Sequence, residues 1–208
     1  LLYRRISSRK ARYRHRFGEL IMYYGAIKFN DIANGEGVRT TLFVSGCRNK
    51  CKNCFQPETW AFDYGEPFTE EVKEKIYSSF ENPFVAGLTV LGGEPMEPEN
   101  QVELLPFLRE FKRRFPNKSL WVFTGNLYEE LTCGVGNHYK CLPETEELLS
   151  LIDILIDGRY EEEKKSLGLR FRGSSNQRVI DMNKTRAQGE IVIWEGCKLD
   201  RTYSSVNN

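Results

Sequence analysis

Histidine is nearly absent: the 208-residue chain has two, His15 and His138. Acid–base chemistry that relies on an imidazole titrating near neutral pH therefore has little to draw on. No apolar run approaches the roughly 20 residues that a bilayer span requires, and no apolar signal core stands near the N-terminus. A large net charge is missing too, since 30 basic residues oppose 29 acidic ones for a balance of +1. Internal repeats and low-complexity tracts are also missing. Hydrophobic residues make up 40% and charged residues 28%, which favours neither disorder nor a membrane class. The length suits one domain with a substantial core.

The near-zero balance conceals a basic start. Arg4, Arg5, Arg9, Lys10, Arg12, Arg14 and Arg16 all precede the first acid, Glu19. Setting those seven aside leaves 23 basic against 29 acidic residues, a remainder of charge −6, which is a poor match to phosphate-driven nucleic-acid binding. An Arg-rich, acid-free start reads as a transit peptide or a nucleic-acid arm. The initial Leu and the change of composition at Met22 support a third reading, in which residues 1–21 are not native protein. The expected organisation is a leader over 1–21, disordered or non-native, and a single domain over 22–208.

Along that domain, apolar runs alternate with helical periodicity. RTTLFV at 39–44 predicts a buried strand ending at Ser45-Gly46, GLTVL at 87–91 a second running into Gly92-Gly93, LWVF at 120–123 a third, and IDILI at 152–156 a fourth ending at Asp157-Gly158. Residues 67–80 place Val72, Ile76 and Phe80 four apart, and 98–115 place Val102, Leu105, Leu108, Phe111 and Phe115 at helical spacing. Residues 143–151 read as a short helix. From about Arg172 the pattern is less regular, with Glu190–Trp194 one further strand. The alternation predicts an α/β fold, a mostly parallel curved sheet forming a partial barrel with helices outside. Its functional loops belong at the carboxyl ends of the strands.

Six cysteines would suit a disulfide framework only in a small secreted chain. Three of them, Cys47, Cys51 and Cys54, fall within eight residues, where disulfides could pair at most two. Thiolates are ligands for zinc and for iron–sulfur clusters, and Arg48, Lys50 and Lys52 are expected to favour the deprotonated form. The triple therefore points to a metal or cluster in a reducing compartment. Three ligands leave a coordination position open, unless Cys133, Cys141, Cys197 or His138 supplies a fourth and closes a structural site. Cys133 and Cys141 flank His138 in a Gly- and Cys-rich segment, 132–142, that reads as a loop insertion. A small zinc knot is conceivable there, and free loop thiols are the simpler expectation. Cys197 reads as a lone thiol. Gly92-Gly93-Glu94-Pro95 after a strand suits either close approach of a ligand or a plain turn.

Taken together, CRNKCKNC at 47–54 and GGEP at 92–95 resemble the radical S-adenosylmethionine superfamily. Within it, the chain resembles the activators of anaerobic (class III) ribonucleotide reductases through DIANGEGVR at 31–39, TLFVSGC at 41–47, Thr59-Trp60, WVFTG at 121–125, LIDGRY at 155–160 and RGSSNQR at 172–178. The resemblance implies a 4Fe-4S cluster on Cys47, Cys51 and Cys54, with its fourth iron left to S-adenosylmethionine. It implies that Gly92, Gly93 and Glu94 contact the methionyl group and that Asn53 and Phe55 lie near the adenosyl part. Asp157 and Arg159 would stand where related activators carry an Asp-x-Lys pair. The implied activity is reductive cleavage of S-adenosylmethionine, with the 5′-deoxyadenosyl radical abstracting hydrogen from a glycine of the reductase.

A low-potential donor such as flavodoxin or ferredoxin is implied as a partner, and a homodimer is allowed. An exposed cluster loop would be oxygen-sensitive, hence an anaerobic cytoplasm, and the charge balance and short apolar runs point to no nucleic-acid or membrane partner. Glu36 departs from the resemblance, standing where the family commonly has proline. The competing readings are an activator of another glycyl-radical enzyme, of the pyruvate formate-lyase type, and a small iron–sulfur or zinc carrier or interaction module.

Overall fold

A computed structural model describes residues 21–132 and 139–200. The Arg-rich stretch, Cys133 and His138 lie outside these residues, so the leader and the zinc-knot histidine are not described. The boundary expected at residue 22 falls at their edge, where Met22 is buried in the core.

The apolar runs become strands: β1 (Tyr23–Asp31), β2 (Val38–Val44), β3 (Glu66–Pro67), β4 (Val85–Gly92), β5 (Ser119–Phe123), β6 (Ile154–Asp157) and β7 (Arg178–Asp181). They form one open sheet in the order β3-β1-β2-β4-β5-β6-β7. The central strands β2, β4, β5 and β6 pair in parallel. β1 and β7 run antiparallel to them, and β3 is antiparallel to β1, so five of the seven strands share one direction. The edges β3 and β7 do not pair with each other, and the sheet is unclosed.

Helices α1 (Glu70–Ser78), α2 (Pro98–Arg114), the single turn α3 (Tyr128–Leu131), α4 (Pro143–Leu151) and α5 (Met182–Gln188) complete the fold. α1 starts where the Thr69 side chain accepts the Val72 N–H, with Glu70 and Glu71 in its first turn; α2 starts at Pro98 and ends on Lys112, Arg113 and Arg114. Both arrangements suit the helix dipole. Leu104, Phe107, Leu108 and Phe111 of α2 are buried against Ile76 and Tyr77 of α1 and against Leu88, Val90, Leu120 and Val122 of the sheet. The stacked pair Tyr77–Phe107, with ring centroids 5.1 Å apart, is part of that layer. All five helices contribute to this one core on one face of the sheet. The other face carries a smaller cluster of Trp121, Ile154, Ile156 and Val179, covered by Phe171 and Trp194 rather than by helices. Among the described residues no helix is long and apolar enough to cross a membrane.

Two of the expected strands differ in position. The last paired strand is β7 at 178–181, whereas Ile193 of the expected 190–194 strand makes one isolated bridge to Ile180. β7 has only Val179 and Ile180 as apolar residues, both fully buried, and two residues are too few to register as a periodic pattern. β6 begins two residues late because Asp153 turns aside to accept the Leu120 N–H at 2.7 Å and to pair with Lys112.

Candidate functional site

The register of β2 on β4 pairs Val44 with Gly92, which sets the start of the cysteine loop beside GGEP. Gly93 N donates to Val44 O at 2.7 Å and Glu94 N to Gly46 O at 2.9 Å. Gly46 N and Cys47 N are held by the carbonyls of Thr59 and Trp60, at 2.8 and 3.2 Å, so the tight turn at Pro57–Trp60 braces the loop entry. Close approach explains Gly93: a Cβ there would stand 2.7 Å from Gly46 O and 3.0 Å from Thr59 O, both backbone atoms. Further along, Lys50 and Asn53 adopt left-handed φ values of 46° and 56°, reversing the chain immediately before Cys51 and Cys54. All three thiols thereby line one cavity of about 730 Å³, a volume that suits a small-molecule cofactor.

The remaining strand ends converge on the same cavity, as their sequence pattern predicts. Thr124 N donates to Ile156 O and Gly158 N to Asn126 O, at 2.8 and 3.0 Å. Gly92, Gly93, Gly125 and Gly158 all reach the cavity wall. The RGSSNQR segment packs against them: Gln177 donates to Gly158 O at 3.0 Å, and Arg172 and Gly173 line the outer wall.

The site residues expected from the sequence divide into two groups. Asn53 and Phe55 line the cavity together with Gly92 and Gly93, and Phe55 stands 96% exposed at its rim. The Glu94 and Asp157 carboxylates are instead buried among protein partners. Glu94 Oε1 accepts from Met96 N and Thr124 Oγ1, and Oε2 from Gly125 N and Asn49 Nδ2, all at 2.8 to 2.9 Å. Asp157 accepts from Tyr128 N at 2.8 Å and from both ends of the Arg178 guanidinium. Arg159 sits close enough to Cys51 for its charge to act on that thiol.

The electrostatics of the thiols correct one expectation. Arg48 is drawn off into Glu97 and Glu99, each at 2.6 Å, and Lys52 into Glu163, so these two of the three expected cations are engaged by carboxylates rather than by the thiols. Burial pushes the Cys47 thiol up to about 11, against hydrogen bonds from the backbone at Asn49 and Lys50. Burial and the neighbouring Cys54 raise Cys51, against Arg159 and a backbone bond from Tyr160. Buried thiols held this way are poor nucleophiles, and metal coordination would deprotonate them.

The donor set fits a cluster better than a single ion. Zinc draws its sulfur ligands to ~2.3 Å from one point, and among the described residues no three Cys, His, Asp or Glu converge in that manner. An iron–sulfur cluster instead takes thiolates onto separate irons, which three free cysteines of one loop can supply. A fourth cysteine ligand finds no support among the described residues. Cys141 is disulfide-bonded rather than the free loop thiol expected, which removes it as a ligand. Cys197 is free but lies 3.3 Å from Arg172 Nη1, in the aromatic cluster on the sheet's open face.

Several contributors carry no local signal. Asn49 within the cysteine loop ties it to Glu94, Glu97 grips it at Arg48 N, and Lys140 reaches it from the 132–142 segment; all three read as ordinary polar or charged residues. Only Thr124-Gly125 announced itself, as a pair following a strand.

Comparison with known proteins gives a consistent result. Residues 33–180 match a family described as 4Fe-4S single cluster domain. Over 149 residues the chain is 41% identical to the anaerobic ribonucleoside-triphosphate reductase-activating protein of Pasteurella multocida (strain Pm70), covering 71% of this chain and 89% of that protein. The protein of the same name from Enterobacteria phage T4 is 36% identical over 158 residues, 76% of this chain and 93% of its own length. That of Escherichia coli (strain K12) is 34% identical over 151 residues, 72% and 92%. With matches of this identity spanning most of both partners, the chain belongs to the family of anaerobic ribonucleoside-triphosphate reductase-activating proteins.

Proposed function

We propose that the chain is a radical S-adenosylmethionine enzyme that installs a glycyl radical in an anaerobic ribonucleoside-triphosphate reductase. Bound in this site, a 4Fe-4S cluster would supply the electron that breaks the sulfur–C5′ bond of S-adenosylmethionine, the resulting 5′-deoxyadenosyl radical taking a hydrogen atom from a glycine of the reductase. The observation that carries this reading is the meeting of three free thiols from one loop with the Gly92–Gly93 backbone in one cavity.

In this reading Cys47, Cys51 and Cys54 would hold the cluster through their thiolates, leaving one of its irons open to S-adenosylmethionine. Gly92 and Gly93 present bare backbone to the methionyl end, and Asn53 and the exposed ring of Phe55 take the adenosyl part. Glu94 acts by fixing the loops on either side rather than by a free carboxylate. Asp157 holds the strand end that carries Arg159 toward Cys51. The cavity walls orient the reacting atoms and keep out water and stray hydrogen donors. No histidine base is needed, which suits the composition. A single domain over 22–208, a sheet curved as part of a barrel, a flavodoxin- or ferredoxin-like donor and a cytoplasmic setting belong to the same proposal.

Anaerobic reconstitution with iron and sulfide, followed by dithionite and S-adenosylmethionine, is expected to release 5′-deoxyadenosine, read by chromatography. Cys51→Ala is expected to hold no cluster iron and form no product, while Cys141→Ala and Cys197→Ala retain wild-type iron. Loss of iron in Cys197→Ala, or in Cys141→Ala with alkylation of Cys47 in the apoprotein unchanged, would overturn the three-ligand arrangement. A wild-type cluster with no 5′-deoxyadenosine would favour an electron carrier.

A further inference from the structure

Within the 132–142 segment, unexplained by the sequence, Lys140 reaches the cysteine loop at Asn49. The Lys140 side chain is 1% exposed, and its Nζ lies 3.1 Å from Asn49 Oδ1, 3.2 Å from Glu97 Oε1 and 3.8 Å from Glu94 Oε2. Its backbone is anchored separately: Lys140 O accepts from Gln101 of α2 at 2.7 Å and from Thr145 of α4 at 3.1 Å, and those two side chains bond each other at 2.6 Å. Tyr139 next to it lies with its hydroxyl 3.4 Å from Glu97.

We propose that Lys140 is the positioning residue of the cysteine loop, holding the Cys47–Asn49 segment in place by neutralising the buried carboxylates that grip it. Glu97 accepts from Arg48 N and pairs with the Arg48 guanidinium, and Glu94 accepts from Asn49. Both carboxylates are within 1% of complete burial. Arg48 is shared between Glu97 and Glu99, so without a second cation the buried Glu94 and Glu97 carboxylates would be short of positive charge, and uncompensated charge in a low-dielectric site is costly. Lys140 supplies that second cation and adds a direct bond to Asn49, two residues from Cys47. Burial alone would push its ammonium toward the neutral form; Glu94 and Glu97 overcome that and raise its pKa above the ordinary value. The lysine thus stays charged where the cradle requires a cation.

The iron part of the test rests on the cluster reading, and the thiol part does not. In the full-length apoprotein, alkylation of Cys47 by iodoacetamide, mapped by mass spectrometry, reports local opening of the loop. Lys140→Met is expected to raise that rate on the order of tenfold, the effect of losing one charge-assisted hydrogen bond, and to lower the iron retained after reconstitution. The double variant Lys140→Met/Glu97→Gln removes one buried negative charge together with the positive one. Its introduced amide oxygen can still accept from Arg48 N while the half-exposed Arg48 guanidinium keeps Glu99, so it is expected to return both readouts toward wild type. A role in packing alone would not respond to that rescue.

Wild-type alkylation and iron in Lys140→Met overturns the proposal, as does a double variant no better than the single one, including one no more soluble. If wild type makes no 5′-deoxyadenosine but the alkylation series behaves as expected, the radical reading fails and the positioning role stands. The reverse pattern removes only the role of Lys140.

Discussion

Glu94 and Asp157 occupy like positions at opposite sides of the site. Each lies at or just beyond the carboxyl end of a parallel strand, β4 or β6, and each is essentially unexposed. Their partners differ. Glu94 divides its oxygens among donors from the cysteine loop, its own turn and the Thr124-Gly125 turn, so one side chain ties loops from three strands together. Asp157 spends its oxygens on Arg178, its direct partner across the β6–β7 pair, and on the first N–H of α3. One carboxylate organises the cavity and the other fastens the edge of the sheet. The same residue class after the same kind of strand thus serves the site in one place and the fold in the other, and the long-range partners decide which.

The sharpest way to break this contrast uses a glycine from each side. Gly93→Ala places a methyl against two backbone carbonyls of the cysteine-loop entry, and neither can retreat without moving Cys47. It is expected to lose most of the reconstituted iron. At Gly158 the nearest atoms to an added Cβ are 3.6 Å away, so the cost of Gly158→Ala is the backbone strain at φ +93°, about 1–2 kcal/mol. It is expected to keep its iron and melt a few degrees lower. Equal iron loss in both variants would erase the distinction between the two sides.

A smaller effect separates the carboxylates themselves. Glu94→Gln turns an acceptor into a donor facing N–H groups on either side, leaving buried donors unmet at about 1–3 kcal/mol. Asp157→Asn weakens a buried pair at similar cost, softened because Arg178 keeps Glu129 at 2.6 Å. Similar losses in thermal stability are therefore expected, ~2–4 °C per kcal/mol at this chain length. Only Glu94→Gln should also reduce iron content and 5′-deoxyadenosine formation, by about tenfold or more. Measuring iron and melting temperature on the same samples decides it, and a Glu94→Gln protein with full iron would reduce Glu94 to a fold residue.

What could be read from the sequence tracks how local each feature is. The cysteine triple, GGEP and the apolar runs of β2, β4 and β5 are contiguous strings whose chemistry or burial is written in neighbours, and the structure brings them to one edge. β1 left no strand signal because it is a half-exposed strand, and β7 left none because it buries only two residues. Lys140 stands 46 positions from Glu94 in a segment whose composition suggests nothing but a loop. Its role exists only once α2 and α4 have set its carbonyl in place. Arg48 and Lys52 misled for the same reason, since their charge is drawn off by Glu97, Glu99 and Glu163, which lie far along the chain.

The smallest expected effect tests the sheet edge by acid. The Arg178 guanidinium holds the Glu129 carboxyl below its ordinary value, against a smaller opposing effect of burial. A depressed carboxyl pKa contributes stability that is complete above the unfolded-state value near 4.3 and fades as pH falls through the lower folded value. Glu129 is 42% exposed, so solvent screening limits the contribution to under about 1 kcal/mol. Glu129→Gln is therefore expected to melt up to a few degrees below wild type at pH 6–7. The gap should close as both proteins are taken down through the lowered folded value of Glu129, beyond which the wild-type carboxyl is itself protonated. Iron content at neutral pH should not change, because this pair lies on the Asp157 side. A gap that persists unchanged at low pH would mean that the Glu129 charge contributes nothing there, and that Asp157 and the backbone ladder alone secure Arg178.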